Sequence, residues 1–364
     1  MREGPLRLLA LWALLVAVYA AGTGVDPRSG DELVHLRIAQ TLVDDGELVR
    51  APQGAGFGVL IAPAEALGGV RAVELLLAAL TALGFVLGAL LARRIVPEPY
   101  ASAGAALAGL SATAIAHASA ISPEMTAGTL LAGAALCAVS ARERPHVGAV
   151  LGGAAMLAVL PWLGVLFALP ALPVAVVLYV WCRRARRPLL GLVGAELIGA
   201  SLVVYATLNE RLYGGPTPWS TTPPGETATG ASTFVDYLDR VPRLVTLWVD
   251  PDVGLLRWAP IFALMFFGGW LLWRSRHEHL ARVIAARATA EAAAGLALAI
   301  AACQLLAAAF LVPTIDGDWF AARPLAAALP VAGALVAWGL RHAPRLGAVL
   351  GAITLAASAW VLLG

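Results

Sequence analysis

VRAVELLLAALTALGFVLGALLA, residues 70–92, carries charge only at Arg71 and Glu74, both near its start. A helix needs about 20 apolar residues to cross the hydrocarbon core of a bilayer, and this stretch supplies them. Working outward, runs of the same kind recur at 6–22, 101–118, 124–141, 147–160, 162–182, 189–209, 254–273, 288–312, 323–340 and 346–363. That makes eleven expected spans. The 147–160 run is short and meets Pro161-Trp162, so it reads as a broken or shallow helix. The whole chain of 364 residues is 60% hydrophobic and 13% charged, where a soluble domain carries about 25% charged residues. Mean hydropathy is +0.81. The fold class is therefore an all-α polytopic membrane protein, read as a single transmembrane domain over 1–364 with no separate soluble domain.

Composition also excludes. All 25 basic residues are Arg, which rules out a lysine Schiff base or a P-loop. No basic patch with interleaved aromatics occurs, so nucleic acid is not an expected partner. Cys137, Cys182 and Cys303 lie in or beside apolar runs, far apart and without metal-ligand spacing, and read as packing residues. The six histidines form no ligand motif. Neither a metal nor a cofactor is expected.

Arginine placement sets the expected orientation. Sixteen of the 25 arginines fall in or beside 1–5, 93–100, 142–146, 183–188, 274–287 and 341–345 if the N-terminus is inside. Most acids fall on the other side. The outer face then carries two long loops, 23–69 and 210–253, and residues 1–22 read as an uncleaved signal anchor. The expectation is a multi-pass plasma-membrane protein with a cytoplasmic N-terminus.

In the first loop, Ser29-Gly30-Asp31-Glu32 opens an amphipathic helix that ends at Gly46. Leu36, Ile38, Ala39, Leu42 and Val43 share one broad face, the pattern of a helix lying in the interface. Ser29 and Glu32 have the spacing of a capping box. Asp31, in the first turn, is favoured in its ionised form by the helix dipole. Both acids have a structural reading as helix-start residues and a functional one, Asp31 as general base with Glu32 as cap or helper. A short apolar piece, 59–67, is interrupted by Pro63 and closed by Gly68-Gly69, and reads as re-entrant. The second loop is rich in Thr, Pro and Gly from 214 to 232 and is expected to be mobile, ahead of a helical stretch from Phe234 to Trp248.

Acids within spans are costly and need a reason. Glu74 follows Arg71 by three residues and Glu291 follows Arg287 by four, spacings that suit helical ion pairs. Glu196 reads as structural. Glu124, in Ser122-Pro123-Glu124, opens a helix at the outer face close to Asp31 in topology. It is a helix-start acid or a second catalytic carboxylate. No internal repeat is visible, which argues against the inverted-repeat transporters.

Five stretches together carry a family resemblance: GDELVHLRIAQTLVDDGEL (30–48), PQGAGFGVLIAPAEALGG (52–69), SPEMTAGTLLA (122–132), DPDVGLLRWAPIF (250–262) and GDWFAARPLAAALP (317–330). In order and on one face, they resemble the GT-C class of membrane glycosyltransferases, in the protein O-mannosyltransferase and aminoarabinose-transferase-like branch. His35 stands where that pattern has an aromatic. The resemblance implies a GT-C-like fold, a polyprenyl-phosphate sugar donor, membrane lipids as neighbours and a site on the outer face. It also places His35, Asp250 and Trp319 at a sugar or acceptor pocket.

The reaction so implied is an inverting transfer of sugar from lipid phosphate to an acceptor hydroxyl. Phosphate leaves readily, so one carboxylate base is enough, and Asp31 is the expected base. Guanidinium binds phosphate with paired hydrogen bonds. Arg323 and Arg257, both at outer ends of spans, are the expected phosphate ligands, with interface snorkelling as their structural reading. Two alternatives without chemistry stand beside this: a flippase or transporter of lipid-linked sugar, and an inactive family member serving as a subunit.

Overall fold

The structure, a computed structural model, describes residues 3–22, 30–52, 54–222, 227–277, 285–315 and 320–363. Among the described residues the regular structure is helical throughout. The α-helices in chain order are α1 Glu3–Ala21, α2 Gly30–Asp44, α3 Gly56–Ala92, α4 Tyr100–Gly109, α5 Ala112–Ala118, α6 Pro123–Glu143, α7 Val147–Leu163 and α8 Ala168–Arg184. They continue with α9 Pro188–Tyr213, α10 Phe234–Leu238, α11 Arg243–Val249, α12 Leu255–Trp258, α13 Ala263–His277, α14 Ala285–Leu306, α15 Leu329–His342 and α16 Pro344–Leu363. Helix is what an apolar chain must form in a bilayer, because no water is there to take up free backbone groups.

Among the described residues, seven helical stretches are long and apolar enough to cross a membrane, and the chain is a multi-pass membrane protein. The expected count of eleven is not reached by this measure. The run 101–118 is broken into α4 and α5, bent by 63°. Ser111 makes the break affordable in hydrogen bonds: it caps α5 by accepting from Ala114 N–H at 3.3 Å and donates to Ala108 O at 2.7 Å. Counted as one, that pair makes eight. α1 and α7 are apolar but shorter. The run 254–273 is interrupted at Ala259-Pro260, where a 3-10 turn, Pro260–Phe262, separates α12 from α13. Proline drives the residue before it out of the helical region, and Ala259 sits at φ −141°, ψ 62°.

The core is built on α15. Every residue from Leu329 to Leu340 is buried, against α3, α4, α6, α13 and α14. Small residues make that approach feasible, as they do between helices in lipid. A Cβ on Gly88 would stand 2.2 Å from Pro330 O, and one on Gly104 would stand 2.6 Å from Ala337 Cα. Either glycine replaced by alanine would force the helices apart.

The amphipathic helix of the first loop is α2. His35, Leu36, Ile38 and Ala39 are buried, Val43 is exposed, and α2 packs on α3. Ser29 lies outside the described residues, so the capping box is not described. The 59–67 piece is the first arm of α3, kinked from the rest at Gly68 and at Gly69, whose φ of 64° suits glycine. That arm lies against α2, with Gly58 beside Ile38, and against the end of α7, with Gly56 beside Trp162.

The second loop is tied down rather than loose in its described part. Arg240 is buried and donates to Phe310 O at 2.7 Å and to Thr229 O at 2.6 Å. Arg243 donates to Val312 O at 2.9 Å. Carbonyl groups of a neighbouring segment thus serve as the partners that the Thr/Pro/Gly-rich sequence lacks. The expected single helix 234–248 is two, α10 and α11. Glu74 pairs with Arg71 at 3.4 Å as its spacing predicts. Glu291 does not pair directly with Arg287: Ser275 stands between, donating to Glu291 and accepting from Arg287 at 2.8 Å.

Candidate active site

Three helix starts converge at one end of the bundle. Asp31 is in the first turn of α2, and Glu124 is in the first turn of α6, just after Pro123. Arg323 opens the 3-10 turn Arg323–Ala328 that leads into α15. The residue before it, Ala322, is buried in the left-handed region at φ 61°, a conformation costing of order 1–3 kcal/mol for a residue with a Cβ. Ala322 N–H donates to Val253 O at 3.1 Å, which holds the strained turn. Its effect is to bring Arg323 to the starts of α2 and α6.

Arg323 Nε donates to Glu124 Oε1 at 3.0 Å, and Nη1 donates to Asp31 Oδ2 at 3.2 Å. The Arg323 and Glu124 side chains are 13% and 15% exposed, and Asp31 is 45% exposed. One guanidinium therefore stands between a buried carboxylate and one at the mouth. All three line a cavity of about 570 Å³. Its walls include Gly164–Phe167, Pro218, Trp219, Gln304 and the stretch 312–314. Part of the wall is a π-helical segment, Ala307–Leu311, a distortion frequent at functional sites.

His35 also lines this cavity, with its ring edge-on to Phe57 at 5.0 Å between centroids. Burial, more than its charged neighbours, pulls its pKa down to about 4. It is neutral at pH 7. Three buried polar atoms here have no hydrogen-bond partner among the described residues: His35 Nδ1, Glu124 Oε2 and Gln304 Oε1. Each such atom costs about 1–3 kcal/mol.

A second cavity of about 390 Å³ adjoins the first through Pro218. It lies between the first arm of α3, the end of α7 and the C-terminal part of α9. Val59, Leu60, Trp162, Leu208 and Leu212 make it apolar.

The structure thus brings together Asp31, Glu124, Arg323 and His35, four of the residues singled out by sequence. Others stand elsewhere. Glu32 is buried on α2 and does not line the cavity. Arg257 lies over the Trp258 ring, donates to Pro251 O and pairs with Asp252 at 3.8 Å, which leaves it outside the cavity lining. Asp250 accepts from Asp252 N–H at 2.8 Å and Val253 N–H at 3.2 Å, a turn-making role away from the lining. Trp319, with Asp316 and Asp318, lies outside the described residues. Gln304 was not anticipated. It is buried and donates to Pro324 O at 2.7 Å. A lone amide at the end of an alanine-rich span was its only signal. His117, buried with Nε2 at 3.3 Å from Ala321 O, supports the same turn and was likewise unread.

No protein-family model matches the sequence, and no curated protein matches it. Solved structures do match. ArnT from Cupriavidus metallidurans in the apo state aligns with a TM-score of 0.63 at 19% identity, over 94% of this chain and 61% of that one. The same protein bound to undecaprenyl phosphate aligns with a TM-score of 0.58 at 17% identity, over 96% of this chain and 62% of that one. The chain spans about three-fifths of the length of these structures. That likeness, over nearly the whole of this chain, gives it the ArnT-like, GT-C-type membrane fold.

Proposed function

We propose that the protein transfers a sugar from a polyprenyl-phosphate donor to an acceptor hydroxyl, with inversion, at the outer face of the plasma membrane. The observation that carries this is the Asp31–Arg323–Glu124 constellation on the wall of the 570 Å³ cavity. The ArnT structure with undecaprenyl phosphate adds support through its fold.

In this reading the acceptor oxygen attacks the anomeric carbon and gives its proton to Asp31. The bond from that carbon to the phosphate oxygen breaks, and polyprenyl phosphate leaves with the electron pair. Asp31 suits the base because it is at the mouth, where an incoming hydroxyl arrives first. Arg323 takes up charge on the departing phosphate. Glu124, buried, holds the guanidinium in place. His35 and Gln304 face the sugar hydroxyls, and the apolar cavity beside Pro218 receives isoprene units.

The test is a proteoliposome assay over a panel of polyprenyl-phosphate sugars, scoring release of polyprenyl phosphate. Turnover with at least one donor is the expected result. Movement of sugar lipid across the bilayer without cleavage would replace this reading with a flippase.

A further inference from the structure

At the far end of the bundle lies a second charged cavity, of about 400 Å³. Arg142, on its rim, is eighteen residues beyond Glu124 on α6, about 27 Å along the axis at 1.5 Å per residue. The cavity therefore has no part in the site above.

Its shape follows from two antiparallel helices. α8 runs from Pro173 to Arg184 along one wall, and α14 runs back from Ala288 to Ala299 along the other. Eleven residue steps on each make a trench about 16 Å long. That is about half of a 30 Å hydrocarbon core, the depth of one leaflet. The deep part is apolar, with Pro173, Val177, Leu296 and Ala299. Pro173, Val177 and Ala299 are half-buried, so the trench opens to its surroundings along its length.

The rim is cationic. Arg142, Arg184 and Arg276 line it from three helices. Arg142 is fixed by Thr289 Oγ1 at 3.2 Å and by the Trp181 ring face at 5.7 Å. Arg184 and Arg276 line the same cavity and form no ion pair or hydrogen bond with another described residue. Glu291 is the single acid among the described lining residues, and Ser275 already donates to it. Three guanidiniums outnumber one carboxylate, so the rim attracts an anion. An anionic head above an apolar trench one leaflet deep is the outline of one molecule type.

We propose that this cavity binds an anionic phospholipid of the leaflet opposite the Asp31–Arg323 site. Arg184 and Arg276 hold its phosphate, the fork geometry that suits guanidinium. One acyl chain lies between α8 and α14. A water-soluble phosphate compound shares the head chemistry but leaves the trench unused.

The test uses the full chain, purified in detergent without added lipid, and measures adduct retention by native mass spectrometry together with melting temperature. The ligands are palmitoyl-oleoyl phosphatidylglycerol, the matching phosphatidylcholine, and glycerol 3-phosphate. Phosphatidylglycerol should be retained and raise the melting temperature, and the other two should not. The double variant Arg184→Gln/Arg276→Gln should lower retention about tenfold, equivalent to 1.4 kcal/mol, and Arg184→Lys/Arg276→Lys should restore part of it. Ala292→Phe fills the trench without touching charge, and should weaken the long-chain lipid while sparing dihexanoyl phosphatidylglycerol. Equal protection by phosphatidylcholine overturns the proposal, and so does equal protection by glycerol 3-phosphate. Should the double variant fail to fold, Ala292→Phe decides alone, and unchanged long-chain retention in it ends the idea.

Discussion

Arg323 Nε meets Glu124 Oε1 at 3.0 Å, across 199 positions of sequence. The contact is buried, and Asp31 joins it from the mouth. In the proposed reaction a donor phosphate would share this guanidinium with two carboxylates. Such sharing would favour exchange of anions over permanent capture of one.

Arg323→Gln should weaken polyprenyl-phosphate binding and slow turnover. It should also destabilise the fold by about 3–5 kcal/mol, because Glu124 is left charged and buried without its partner. The double variant Arg323→Gln/Glu124→Gln should recover the melting temperature but not donor affinity. Arg323→Lys should recover part of both. Donor affinity equal to wild type in the double variant would remove Arg323 from phosphate recognition.

Asp31→Asn should lower turnover by about 100-fold or more, the scale of a general base. Its melting temperature should stay near wild type, since a half-exposed pair contributes about 0–1 kcal/mol. Glu124→Gln should instead shift donor affinity through Arg323. A larger loss of turnover in Glu124→Gln than in Asp31→Asn, at saturating donor, would move the base to Glu124.

His35 gives the fold a dependence on acid. Its folded pKa is about 4, held down by burial, against 6.5 for a free histidine. The unfolded chain takes the proton first. Stability from this group is complete above pH 6.5 and falls as pH drops toward 4, by on the order of 3 kcal/mol in full. His35→Gln should flatten the melting temperature between pH 6.5 and 4 relative to wild type. Parallel curves for the two proteins would place His35 in contact with water.

Orientation is open to direct labelling. Cysteine at Asp45, in a background without Cys137, Cys182 and Cys303, should react with an impermeant thiol reagent in intact cells. Cysteine at Arg186 should react only after the membrane is opened. Both positions are exposed. The reverse result would put the cavity of Asp31 and Arg323 inside the cell.

Apolar runs announce membrane helices because the bilayer leaves a chain few choices, and α3, α6 and α14 were readable on that ground. The breaks at Ser111 and Ala259 were less so, since a capped or proline-bent helix keeps the same composition as a straight one. Asp31, Glu124 and Arg323 could be named because each is a charge at a helix start beside the membrane. Their mutual contact could not, since it depends on the left-handed turn at Ala322, the second of two alanines with nothing in the sequence to mark it. Gln304 and His117 were passed over for a related reason: single polar residues in apolar spans carry no spacing signal. Arg257 and Asp250 had the same local credentials as Arg323, and only the path of the chain separates them.

The near-complete burial of α15 has a consequence for how the protein is made. Arg323 follows Glu124 by 199 residues, about 10–40 s of synthesis at 5–20 residues per second. Throughout that interval Glu124 awaits its counter-ion, and the glycine seam at Gly88 and Gly104 faces lipid instead of α15. A translation pause or an early stop before residue 323 leaves a bundle with an unfilled groove and an uncompensated acid. Such a nascent chain is open to membrane proteases until the last helices arrive.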